Sequence, residues 1–275
     1  MMKNIGMAML ALGILFAAAC NDSKDSTAQA QQPGAGGAGK AKQLTLDLGN
    51  KVILKLVQIP AGKFLMGSPE TEKDRRANEG PQREVTISKP FYMGICEVTQ
   101  EQYEHIVGSN PSYFKGAKNP VEQVLWEDAV EFCKKLSAKT GKTVQLPTEA
   151  QWEYACRAGS ATKYCFGDAE PELGDYAWYG DNSDMKPHPV GQKKPNVWGL
   201  YDMHGNVWEY CQDWHGAYAE PAKTDPTGSA SGSYRVLRGG VCLYNASYCR
   251  SAYRYISVPF SRFSYRGFRL VLDSE

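Results

Sequence analysis

Residues 160–196 constrain the fold of this chain more than any other stretch. Proline and glycine punctuate them, and their apolar residues follow neither the period of a helix nor the alternation of a strand. An ordered loop of that length needs a bound ion or a dense shell of side chains to hold it. The rest of the chain must therefore build a frame around a long irregular segment.

The frame reads as short strands and a few helices. Alternation and β-branched content predict strands over 43–47, 52–59, 64–67, 83–87 and 91–97, with a turn at Pro60-Ala61-Gly62. Thr99 with Gln102 is a capping box that opens a helix, and Gly108 and Pro111 end it. The longest predicted helix covers 127–140, where Ala129, Val130, Cys133 and Leu136 share one face and Gly141 is the C-cap. A second capping box at Thr148 and Gln151 starts a helix that runs to about residue 157. These elements predict an α+β fold with high irregular content.

Residues 1–20 read as an export signal. Lys3 precedes an apolar run over 5–16, too short to span a bilayer comfortably, and Ala17-Ala18-Ala19-Cys20 supplies a small-residue cleavage site. The pattern resembles a bacterial lipoprotein signal, which implies lipidation of Cys20. Ordinary secretion, cut after Ala19, is the alternative. Residues 21–42 are rich in Ser, Ala, Gln, Gly and Pro and cannot bury enough surface to offset ordering, so a flexible tether is expected. The folded domain is expected over 43–275, held to a membrane by the lipid on Cys20, in the bacterial envelope and facing outward.

A net charge of +1 gives no reason to expect nucleic acid as partner. Cysteine usage excludes two further classes. Beyond Cys20 there are Cys96, Cys133, Cys156, Cys165, Cys211, Cys242 and Cys249, an odd set without CxxC spacing, so neither a zinc site nor a dense disulfide framework is indicated. Cys133 is expected as a packed thiol, while Cys242 and Cys249 could pair or stand alone. His105, His188, His204 and His215 show no catalytic spacing, and there is no phosphate-cradling loop. No organic cofactor is expected.

Four segments carry a family resemblance: Leu146-Pro147-Thr148-Glu149-Ala150-Gln151-Trp152-Glu153-Tyr154-Ala155, Gly199-Leu200-Tyr201-Asp202-Met203-His204-Gly205-Asn206-Val207-Trp208-Glu209-Tyr210, Arg238-Gly239-Gly240 and Gly267-Phe268-Arg269-Leu270. In this order they resemble the signature of the formylglycine-generating enzyme, or sulfatase-modifying factor, family. The resemblance covers about 56–272 and implies a C-type-lectin-like fold of the formylglycine-generating-enzyme type. It also implies candidate calcium ligands at Asp202, Glu209 and the carbonyls of Gly205 and Val207, a set of hard oxygen donors. The alternative is that Asp202 turns the chain and Glu209 pairs with an arginine. The family's copper-binding cysteine pair is five residues apart just after a Gly-Gly-Ser turn. Here Val241 replaces that serine and Cys242 and Cys249 are seven apart, which weakens the enzymatic reading.

Residues 241–266 are singular in composition. They hold seven aromatic rings and four arginines but no Asp, Lys, Glu, Gln, Met or Trp. At this chain's own usage about six of the last five types would be expected. Those five are the types that an NNY codon cannot encode, and adenine-directed mutagenesis of AAY codons yields only NNY codons. The segment thus resembles the variable region of proteins diversified by a retroelement, a family that displays its variable residues on this same fold.

The side chains are those of a paratope, rigid aromatics beside small polar groups and forked donors. The expected ligand-binding residues are Val241, Cys242, Leu243, Tyr244, Asn245, Tyr248, Tyr255, Ile256, Ser257, Val258, Phe260, Ser261, Phe263, Ser264, Tyr265 and Arg266. Arg238 to Gly240, Arg250 to Arg254 and Gly267 to Leu270 are expected as scaffold, with Tyr253 and Phe268 in the core. The reading is a monomeric binding protein for an unidentified protein or cell-surface ligand. A formylglycine-generating oxidase acting on a sulfatase cysteine and a structural envelope lipoprotein are the alternatives.

Overall fold

Asn50 and Lys51 both take positive φ, 52° and 65°, and so fold the first two strands into a tight hairpin. The computed structural model describes residues 42–218 and 223–274; the expected signal, Cys20 and the tether up to residue 41 lie outside them. In chain order the strands are β1 (Gln43–Gly49), β2 (Val52–Ile59), β3 (Gly62–Met66), β4 (Arg83–Ile87), β5 (Phe91–Gly94), β6 (Val144–Gln145), β7 (Trp208–Trp214), β8 (Lys223–Thr224), β9 (Arg235–Arg238), β10 (Tyr255–Ser257), β11 (Arg266–Gly267) and β12 (Val271–Asp273). The helices are α1 (Gln100–Val107), α2 (Trp126–Thr140), α3 (Glu149–Arg157) and the single turn α4 (Leu173–Tyr176).

Three sheets result: five strands in the order β1-β2-β5-β12-β6, four in the order β10-β9-β7-β11, and three in the order β3-β4-β8. The last strand, β12, lies between β5 and β6 and is antiparallel to both. Both predicted capping boxes are present: Thr99 accepts from the Gln102 amide and Thr148 from the Gln151 amide. The strand expected over 91–97 stops at Gly94, where the Gly94 amide turns to the Leu270 carbonyl.

One core lies between the first sheet and α1 and α2, where Tyr103 stacks on Phe132 at 5.6 Å and Phe268 meets both rings edge-on. A second surrounds Trp152 and Tyr154 of α3. The long segment 160–196 is irregular except for a short 3-10 turn running into α4. Its own cluster, Tyr164, Leu173 and Ala177 packed with Ala246 and Cys249, is the dense side-chain shell that one of the two expectations required.

Candidate functional site

The C-terminal skeleton is held by arginines that point inward. Arg250 is 1% exposed and donates to Glu79 at 2.5 and 2.7 Å, to Glu72 at 2.7 Å, and to the carbonyls of Asp74 and Ser247. Arg254 grips Glu149 of α3 at 2.6 and 2.8 Å, and Arg238 bonds Glu153 of the same helix. Arg269 forks onto Glu209 at 2.6 and 2.7 Å. Burial would raise the Glu149 carboxyl, but the guanidiniums of Arg254 and Arg238 overcome it and hold it below its ordinary value. Each of these four buried guanidiniums thus has a carboxylate partner.

The turn that leads into residues 241–245 needs its glycines. Gly239 and Gly240 take φ of 100° and 74°, and a Cβ on Gly240 would lie 2.8 Å from the Cys249 sulfur. Beyond it the chain makes a 3-10 turn, Ala246–Cys249, that Asn245 caps by accepting from the Ser247 amide.

Between these clamps the runs project rings. Phe260 is 76% exposed, Phe263 48% and Tyr244 38%. Tyr244 packs on Tyr248 at 4.7 Å, Tyr248 on the buried Tyr253 at 5.0 Å, and Tyr255 stacks on the buried Trp208 at 4.9 Å. Asn245 is exposed, and Leu243, Ile256, Val258, Ser261, Ser264 and Tyr265 are half-buried. Tyr248, Tyr255 and Tyr265 therefore both edge the face and close the core beneath it. The face is open rather than a cleft, a shape suited to a macromolecular ligand.

Four expected face residues are placed elsewhere. Val241 and Cys242, 1% and 0% exposed, fill the first core because the Gly239-Gly240 turn sends the chain inward. Ser257 accepts from Arg266 at 2.5 Å under the surface, and the Arg266 guanidinium lies 3.9 Å from the Phe263 ring centre. Both side chains support the face from below. Tyr253 and Phe268 are buried as expected, at 3% and 0%.

Sequence reasoning missed Arg76, Tyr113, Phe114 and Met185. Arg76 lies over the rings of Tyr248 and Tyr253 at 5.4 and 5.2 Å, Phe114 packs on Tyr265 at 5.5 Å, and the Tyr265 hydroxyl reaches the Met185 carbonyl at 3.5 Å. The one available signal was an aromatic pair, Tyr113-Phe114, inside a loop of Asn, Pro, Ser and Gly.

Cys242 and Cys249 are free and buried, and burial pushes Cys249 up to about 12 and Cys242 higher still. Position 244, five residues before Cys249, holds tyrosine. His204 is a packed histidine whose Nδ1 bonds the Cys249 carbonyl at 2.8 Å and whose Nε2 accepts from the Cys165 amide.

Both carboxylates among the expected calcium donors have protein partners. Glu209 spends both oxygens on Arg269 and one also on the Trp152 indole, so a guanidinium stands where the cation was expected. Asp202 turns the chain at φ 60° and accepts from the Gly191 amide at 2.7 Å. Its other oxygen and one of Glu97 are buried without a hydrogen bond. Burial raises both groups, with Asp202 and Glu209 adding to the rise of Glu97 and Glu209 adding to that of Asp202. Among the described residues no three Asp, Glu, His or Cys side chains are grouped to hold a metal ion. Asp202 thus lies in a turn and Glu209 pairs with an arginine.

Fold and site together define an α+β, C-type-lectin-like domain of the formylglycine-generating type. Residues 49–274 match the sulfatase-modifying factor enzyme 1-like domain, and the chain belongs to that family. It is 30% identical to the formylglycine-generating enzyme of Mus musculus over 80% of this chain and 76% of the mouse enzyme. Among solved structures it resembles Treponema denticola variable protein 1, with a TM-score of 0.78 and 34% identity over 84% of this chain and 99% of that one. It also resembles PvdO from Pseudomonas aeruginosa, with a TM-score of 0.76 and 30% identity over 86% and 100% of the two chains.

Proposed function

We propose that this chain is a non-enzymatic binding protein whose ligand face is the exposed part of residues 241–266. The segment is diversified between gene copies, and a lipid on Cys20 displays the domain from the bacterial envelope. One observation carries this reading: buried ion pairs of Arg238 and Arg269 flank the segment and those of Arg250 and Arg254 pin it within, while the rings between these clamps, Tyr244, Phe260 and Phe263, are exposed. The clamps do not depend on the side chains of the projecting residues, so those can change while the frame stays. The likeness to a variable protein supports the same view.

Sequencing the gene's neighbourhood tests it. A reverse transcriptase gene is expected beside a near-copy of the segment that differs only opposite adenines. No such copy, or differences scattered elsewhere, would remove the proposal. Labelling with radioactive palmitate, abolished by Cys20→Ala, tests the anchor separately.

The likeness to formylglycine-generating enzymes favours a second reading, an oxidase acting on a sulfatase cysteine. Incubation with a cysteine-containing sulfatase peptide and copper decides it. No aldehyde is expected, because Cys242 and Cys249 are buried and held protonated.

A further inference from the structure

The binding face has a neighbour outside the diversified segment. Tyr113 is 70% exposed, its ring meets Phe114 edge-on at 4.9 Å, and Phe114 continues onto Tyr265 at 5.5 Å. Rings that run together at the surface in this way mark a contact site, where a single exposed ring would not.

The loop that carries these rings is held from inside the protein. Glu122, 0% exposed, accepts from the Phe114 amide at 2.7 Å, and Gln100, 1% exposed, bonds the Phe114 carbonyl at 2.8 Å and the Gly116 amide at 3.0 Å. Ser112 exchanges bonds with the Glu122 backbone at 3.1 and 3.3 Å. Two buried polar side chains thus fix a surface loop, and the second oxygen of Glu122 is left without a partner to do so. A rigid loop presenting rings is the arrangement of a preorganised contact.

Among the described residues at the face two cations stand outside any ion pair, while the neighbouring acids Asp128 and Asp184 are each paired with a cation. Arg76 and Lys115 are exposed cations in no ion pair among the described residues, one beside Tyr248 and the other next to Phe114. Arg262 projects with 44% of its side chain exposed, though it leans on Asp128. Residues 241–266 contribute no carboxylate.

We infer that Tyr113 and Phe114 form a fixed second wall of the binding face, and that the two walls together take an acidic segment of a protein ligand. This rests on the face proposed above. Because both rings lie outside 241–266, every diversified copy would share this contact, while the variable runs set which acidic segment is preferred.

The test uses a phage-displayed library of random peptides selected on the immobilised full chain, followed by affinity measurements on Tyr113→Ala and Tyr244→Ala proteins. Tyr113 and Tyr244 are exposed, so both variants should keep the parent thermal midpoint, which is checked first. The expected result is a set of peptides enriched in Asp and Glu that lose about tenfold or more in affinity on either substitution. Loss with Tyr244→Ala alone overturns the second wall and leaves the proposed face standing. Loss with neither, or no enrichment over bare resin, overturns both. Selected peptides without an acidic excess overturn the assignment of the partner's chemistry.

Discussion

Arg250→Met tests the clamp on which the exposed runs depend. The substitution keeps an unbranched stem of similar length and removes a guanidinium whose five hydrogen bonds reach Glu79, Glu72, Asp74 and Ser247. It leaves Glu79, 0% exposed, with Ser68 and the Arg76 amide but no counter-charge. Breaking one side of a buried pair costs roughly 3–5 kcal/mol. For a domain of this size that predicts a fall in thermal midpoint of about 6–20 °C, measured by calorimetry or circular dichroism. The double variant Arg250→Met with Glu79→Met removes both charges and should recover much of the loss. A double-variant cycle should give a coupling of at least about 2 kcal/mol. If Arg250→Met lies within about 1 kcal/mol of the parent, or the two losses simply add, the clamp does not hold the segment as argued.

Three further outcomes follow from the buried groups. Burial, with the Glu149 carboxylate adding to it, raises Asp213 to about 7, so its ionisation opposes folding. The stability tied to its protonated form is complete below its unfolded value and is lost as pH rises through about 7, by at most about 4 kcal/mol. Asp213→Asn keeps an acceptor for the Glu149 amide and should raise the thermal midpoint at pH 8 far more than at pH 5; equal shifts would refute this. In native protein a thiol reagent should modify half-exposed Cys165 first and reach Cys242 and Cys249 only on unfolding, as mapped by mass spectrometry. Because Arg269 already neutralises Glu209, calcium and chelator should leave the thermal midpoint unchanged, and a rise of several degrees with calcium would restore the metal reading.

The helices were legible in the sequence because their signals are local. Thr99 and Thr148 cap their own helices, and the predicted start of α2 misses by one residue, Trp126 for Glu127. The short strands β7 to β12 were not legible, since several run two to four residues and alternate with arginines that point inward. An arginine's direction depends on whether a carboxylate waits for it, and Glu79 lies 171 positions from Arg250. The same limit put Val241 and Cys242 on the face: composition marked the segment, but only the turn at Gly239 and Gly240 decides which of its residues face outward.

The place of β12 in the middle of the five-stranded sheet has a consequence for synthesis. Val271 to Asp273 are made after residues 241–266, yet β5 and β6 on either side have no partner on that side until they arrive. A message shifted out of frame anywhere in residues 241–266 would lose this strand and the centre of the sheet with it. Any altered copy of residues 241–266 can therefore close the fold and escape proteolysis only if it is read through in frame.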